Sequence, residues 1–195
     1  MGKEEVESLI GWFRKHRKKH WKNGSRLLTK DPKLSLRLTW IKLLWPDAII
    51  MGMVRNPWSV VEGIIRRQPL MGDVALNLDV PTATAQWINV NTVLWMESKE
   101  IDSFMWIRYE DLIKGKTYPD EKDAKRIWSQ ILKHCELDKE GLTIPNASKF
   151  SEFTGERDGE SHKNLSAWEI EFISTATEGL RKKLGYENCN TKILK

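Results

Sequence analysis

Apolar residues recur along the chain in two rhythms, and the alternation between them predicts the elements. Over residues 4–21, Val6, Leu9, Ile10 and Phe13 fall on one face of a helix that Asn23-Gly24 would end. Residues 26–30 form a short strand candidate, broken by Asp31-Pro32. Leu34, Leu38, Ile41 and Leu44 then keep helical spacing up to Trp45-Pro46. Residues 48–54 are apolar with too little alternation for a half-exposed strand, so both faces are expected to be covered. Helical spacing returns in Val60, Val61, Ile64 and Ile65, and after an irregular stretch around Gly72 again in Ala83, Trp87, Val90 and Leu94. A second clear strand spans 103–107 and gives way to a helical turn at Arg108-Tyr109-Glu110-Asp111-Leu112. Pro119 and Asp120 open an amphipathic helix with Ala124, Ile127, Trp128, Ile131, Leu132 and Cys135 inward. Residues 137–162 lack periodicity and read as a long loop, of the kind usually functional or disordered. The last helix begins with a capping box, Ser166 with Glu169, and ends near Leu184-Gly185. Strands alternating with helices predict an α/β fold: one domain with a mostly parallel sheet flanked by helices.

One junction carries candidate chemistry. The strand over 48–54 stops at Arg55, and Asn56-Pro57 follows at once. Asn56 is a good N-cap, and Pro57 suits the first helical position, where its missing N–H costs nothing. Unpaired backbone N–H groups, the positive end of the helix and a guanidinium fork would then point the same way, an arrangement suited to an anion such as phosphate.

Composition narrows the partners. The chain has 195 residues, 40% hydrophobic and 30% charged, enough for one α/β domain with a real core. No apolar run reaches membrane-spanning length, and the N-terminus lacks the apolar centre of a signal peptide. Two cysteines, Cys135 and Cys189, and four histidines do not cluster at metal-ligand spacing, so no metal is expected and a reducing, cytoplasmic setting fits. Ten tryptophans predict core or groove lining. The net charge of +5 is concentrated in Arg14, Lys15, Arg17, Lys18, Lys19 and Lys22. That run reads as a solvated helix face, or alternatively as an attraction patch for a polyanion or an anionic cofactor. Nothing else suggests nucleic acid.

Four pieces in order resemble the sulfotransferases, which move a sulfuryl group from 3′-phosphoadenosine 5′-phosphosulfate (PAPS) to a hydroxyl or amine. Leu28-Thr29-Lys30-Asp31-Pro32 resembles the family's lysine-x-proline turn. Trp45-Pro46-Asp47-Ala48 through Val54-Arg55-Asn56-Pro57 resembles the strand-to-helix corner that holds the donor's 3′-phosphate. Arg108-Tyr109-Glu110-Asp111-Leu112 resembles the turn after a later strand, and Leu184-Gly185-Tyr186 the close of the last helix. The resemblance spans 27–186. It implies a P-loop-NTPase-like sulfotransferase core over 25–186, preceded by a basic helical segment over 1–24.

Two departures qualify the expectation. The family's first strand and phosphosulfate loop, a Pro-Lys-Ser-Gly-Thr-Thr-like turn, would precede Lys30, and residues 1–29 hold no such turn. A chain without that loop is expected to bind the donor weakly and turn it over slowly, unless a longer protein or a partner supplies it. The family strand it belongs to lies inside the sheet. Its absence predicts an unpaired apolar edge, met by a homodimer, a partner chain, poor solubility or a rearranged N-terminus. Secondly, the family's 3′-phosphate serine corresponds to Gly63, eight residues after Arg55. Ser59 or the helix N–H groups are expected to replace it, with Arg66 and Arg67 one turn beyond.

The resemblance implies cofactor-binding roles for Arg55, Asn56, Trp58 (stacking on the adenine, or packing under the helix start), Ser59, Gly63, Arg67 and Lys163, the last beside His162. Lys30 would face the reacting groups. Asp31 is a general base only if the acceptor hydroxyl comes within reach, and otherwise a turn residue. Pro32 stands where some members carry a catalytic histidine. Glu110 and Asp111 read as structural, accepting backbone N–H groups. The expected function is sulfuryl transfer to a small-molecule or glycan acceptor. The alternative is a non-catalytic binder of 3′-phosphoadenosine 5′-phosphate (PAP) or of a sulfated ligand.

Overall fold

Segments 28–67, 78–112, 121–137 and 164–186 are described by a computed structural model, together with Glu4, Glu7, Ser8, Ile10, Gly11 and Lys15. The chain divides into two units, Met1–Leu34 and Ser35–Lys195. In the first, the six early positions are all helical, as their spacing predicts. Leu28, Thr29 and Lys30 form no strand, and Leu28 is 83% exposed. A strand needs a neighbour to take its backbone groups, and apolar side chains alone do not supply one. Asp31 then acts as the turn residue: its Oδ1 accepts Lys33 N at 2.9 Å and its carbonyl accepts Leu34 N at 3.0 Å. A 3₁₀ turn follows at Pro32–Leu36.

The second unit is mixed α/β and mostly helical. Its order is α1 (Leu38–Leu44), β1 (Ile50–Val54), α2 (Pro57–Arg67), α3 (Val80–Ser98), β2 (Phe104–Arg108), a 3₁₀ turn (Tyr109–Asp111), α4 (Glu121–His134) and α5 (Ala167–Lys183). The single helix expected over 34–44 is broken at Arg37, whose φ of −147° is not helical. Lys42 Nζ donates to the carbonyls of Pro46 (2.5 Å) and Ala48 (3.2 Å), fixing the turn out of α1.

Among the described residues the sheet has two strands, β1 and β2, paired in parallel from Ile50↔Phe104 to Val54↔Arg108. Burial along β1 alternates, against the expectation that both faces are covered: Ile50, Gly52 and Val54 are buried, while Met53 is 54% exposed. The buried face meets α3. The end of α4 meets the start of the strand, where Cys135 Sγ lies 3.9 Å from Met51 Sδ and His134 Nε2 lies 3.2 Å from the Ile50 carbonyl. Gly52 is the close approach within the sheet: a Cβ there would stand 2.4 Å from Cζ of the Phe104 ring.

Helix α3 organises the core because it contributes to all three apolar clusters among the described residues. Val80 and Ala83 pack with Val61, Leu165, Ile170 and Ile173; Leu94 packs with Leu38, Ile50 and Ile101; Trp87 packs with Val54, Leu184 and Tyr186. Buried side chains of this size each contribute roughly 1.5–3 kcal/mol relative to exposure. The buried polar residues of α3 are satisfied on their own helix: Thr84 Oγ1 donates to the Val80 carbonyl at 2.7 Å and Asn91 Nδ2 to the Trp87 carbonyl at 2.8 Å. No helix among the described residues is long and apolar enough to cross a membrane.

Candidate anion-binding corner

The corner begins where β1 ends. Asn56 is the N-cap of α2, its Oδ1 accepting Ser59 N at 2.8 Å, and its carbonyl accepts Val60 N at 3.3 Å. Pro57 occupies the first helical position. These local features are those the sequence predicts.

The parallel register brings the second piece alongside. Strand partners differ by 54 in number (104 − 50), and the same offset carried past the strand ends sets Arg55 beside Tyr109 and Asn56 beside Glu110. Both pairs are in contact. Arg55 Cζ lies 4.7 Å from the centroid of the Tyr109 ring. Glu110 Oε1 accepts both Asn56 N (2.7 Å) and Asn56 Nδ2 (2.8 Å). The structural reading of Glu110, as an acceptor of backbone N–H groups, is therefore what the structure contains.

The third piece arrives from α5. Gly185, at φ +79°, lets the chain reverse, with Tyr186 N donating to the Arg181 carbonyl at 2.9 Å. The Tyr186 hydroxyl then lies 2.7 Å from Glu110 Oε2 and 3.2 Å from the Val54 carbonyl. Having one proton, it donates mainly to the nearer acceptor, Glu110. Arg108 secures the same junction: Nε and Nη2 form a fork on Asp111 (3.0 and 2.8 Å), and Nη1 donates to the Gly185 carbonyl at 2.6 Å. Trp87 Nε1 on α3 donates to the Arg55 carbonyl at 3.0 Å.

The remaining sequence-predicted residues take distinct places. The Trp58 indole turns to α5, with Nε1 donating to Ser174 Oγ (3.2 Å) and the Ile170 carbonyl (3.4 Å) and Arg181 Cζ 4.9 Å from its ring centroid. That is the packing reading of Trp58. Ser59 is 3% exposed, so its hydroxyl faces the interior. Gly63 is half-buried, and a Cβ there would meet nothing within 4 Å. Arg66 pairs with Glu62 at 3.2 Å, which also accepts Asn164 Nδ2 at 3.0 Å. Arg67 ends α2. Lys30 and Asp31 belong to the N-terminal unit and are both exposed. His162 and Lys163 lie outside the described residues, as do the stretch around Gly72 and most of the predicted loop.

Two features of the corner differ from the expectation. Three of the N–H groups at the start of α2 are paired within the chain: Asn56 N meets Glu110, Ser59 N meets the Asn56 side chain, and Val60 N meets the Asn56 carbonyl. Glu110 takes the first of these, a buried carboxylate at the positive helix end, and Asn56 itself takes the other two. Tyr186 is the residue sequence reasoning passed over as a chain-end landmark. The signal that could have drawn attention to it is the equal spacing of the two strand-end pieces, which puts a glutamate needing donors at the corner.

No family model matches the chain, and no curated protein or solved structure is significantly similar to it.

Proposed function

We propose that this chain is a sulfotransferase-like domain that takes the 3′-phosphate of PAPS at the Arg55 corner and passes the sulfuryl group to a hydroxyl or amine. The observation that supports it is convergence. Three pieces that resemble sulfotransferase motifs, around residues 55, 110 and 186, meet through Glu110 at the C-terminal end of a parallel strand pair. That end of a parallel sheet is where α/β folds collect ligands. The finer assignment, a P-loop-type sulfotransferase core, rests on the resemblance.

In this reading Arg55 supplies the charge that holds phosphate, and Asn56 fixes the backbone on which Arg55 sits. For Lys30 the resemblance implies a role beside the reacting groups. Trp58, Ser59, Gly63, Arg67 and Lys163 complete the expected donor-binding set, of which Trp58 and Ser59 would serve as packing beneath the corner. Transfer would proceed in line: the acceptor oxygen or nitrogen bonds sulfur as the bond from sulfur to the phosphate oxygen breaks, and the acceptor proton leaves to a base. Catalysis would come from positioning and charge stabilisation.

A second reading, a non-catalytic binder of PAP or a sulfated ligand, is favoured by one observation. Asn56 N and Ser59 N are already paired internally, which leaves fewer preorganised groups to follow charge during a reaction. Calorimetric titration with PAP on the native chain and on Arg55→Ala tests both. Binding by the native chain, weakened at least about tenfold (~1.4 kcal/mol) by the substitution, is expected. No binding, or binding indifferent to Arg55, overturns the corner as a phosphate site. Turnover of PAPS with an acceptor panel then separates enzyme from binder.

A further inference from the structure

We infer that Glu110 is the positioning residue of the Arg55 corner and that Tyr186 holds it in place, so that anion binding at Arg55 depends on how the end of α5 docks. The part concerning binding rests on the reading above.

Glu110 is 5% exposed, and a carboxylate out of water persists only with donors around it. Its donors are divided by element. One oxygen takes two hydrogen bonds from Asn56, the residue after Arg55. The other takes the hydroxyl of Tyr186, which is 1% exposed and lies three residues beyond the last residue of α5. The same hydroxyl touches the carbonyl of Val54, the residue before Arg55. Arg55 is thus bracketed in sequence by two residues that both answer to Tyr186, one directly and one through Glu110.

Tyr186 is itself held. The left-handed Gly185 sets the direction of the chain, and Arg108 grips the Gly185 carbonyl while Asp111 holds the guanidinium. The Arg108 guanidinium also lies 5.8 Å from the Tyr186 ring centroid. A displacement of α5's end therefore withdraws a donor from Glu110, loosens its grip on Asn56, and releases the backbone carrying Arg55. Glu110 and Tyr186 need not touch the ligand for this.

The test reads amide hydrogen exchange at Asn56 and Ser59, with Leu94 in the interior of α3 as the reference for global opening. In Tyr186→Phe, exchange at Asn56 and Ser59 is expected to rise about tenfold relative to Leu94, the scale of one lost hydrogen bond, and PAP affinity to fall several-fold. Glu110→Gln keeps an acceptor oxygen for Asn56 and is expected to keep most of that protection, whereas Glu110→Ala loses it. Equal acceleration at all three amides, or none at any, overturns the inference, because Tyr186 would then act on global stability alone. Should the native chain bind no PAP, the phosphate-site reading falls, and the exchange pattern still decides whether Tyr186 positions the corner.

Discussion

The starts of α1 and α2 are each closed by a glutamate from far along the chain, yet the two regions behave differently. Leu38 N and Thr39 N of α1 donate to Glu97 Oε2, 59 and 58 residues away, at 2.5 and 3.2 Å. The residue before α1, Arg37, contributes no side-chain cap. At α2 the distant acid is Glu110, 54 residues away, and Asn56 adds a cap of its own. Glu97 is half-buried and Thr39, one of the two residues it caps, is exposed, so water can replace it. Glu110 is enclosed, and water cannot. The same chemical device closes a helix in one place and organises a candidate site in the other, and burial makes the difference.

That contrast can be broken most directly at Glu110. Glu110→Ala strands the N–H and side-chain amide of Asn56 and the Tyr186 hydroxyl, and should cost about 3 kcal/mol or more in denaturant unfolding. Glu97→Ala should cost about 1 kcal/mol, the usual scale of a lost helix cap, with faster exchange confined to Leu38 and Thr39. Equal losses for the two substitutions would erase the distinction drawn from burial.

The smallest effect belongs to a cap made within the local sequence. Asp79 caps α3 by accepting Thr82 N at 2.8 Å, and its hydrogen bonds with Thr82 hold its carboxyl below the ordinary 3.8. A depressed folded value means that the cap's contribution is present above the unfolded value and lost as pH falls through the folded one. A carboxyl titration followed by NMR should therefore show Asp79 with a midpoint below 3.8, and the first turn of α3 fraying only beneath it. A midpoint at or above the ordinary value would mean that the cap is not formed in solution.

Helix starts were readable where the signal lies within a few residues. Asn56-Pro57 marked α2, and Ser166 with Glu169 marked α5, where the Glu169 carboxylate accepts Ser166 N at 2.6 Å and Ser166 Oγ at 2.7 Å. The end of that helix near Leu184-Gly185 was readable for the same reason, and Gly185 there takes a left-handed conformation. The strand expected over 26–30 failed in its described part because strand formation depends on a partner that no local pattern specifies. The two covered faces expected for β1 failed likewise: its burial alternates and Met53 is left exposed. In the corner, Arg55, the Asn56 cap and the structural character of Glu110 were legible. The partners of Glu110 were not.

By itself the amino-acid order determined the elements whose causes are short-range: caps, the glycine that ends α5, the apolar spacing of α2 and α3, and an arginine at the end of an apolar strand. These follow from contacts within a turn or two of helix, where side chain and backbone meet without help from the rest of the chain. Only the tertiary structure decided that β1 and β2 pair at an offset of 54, that Glu97 reaches α1, and that Tyr186 meets Glu110 and Val54. Those meetings follow from burying Leu38, Ile50, Leu94 and Ile101 in one cluster and Val54, Trp87, Leu184 and Tyr186 in another, with α3 contributing to both. Non-directional burial of apolar surface brings distant segments together, and the buried polar groups must then find whichever donors arrive with them.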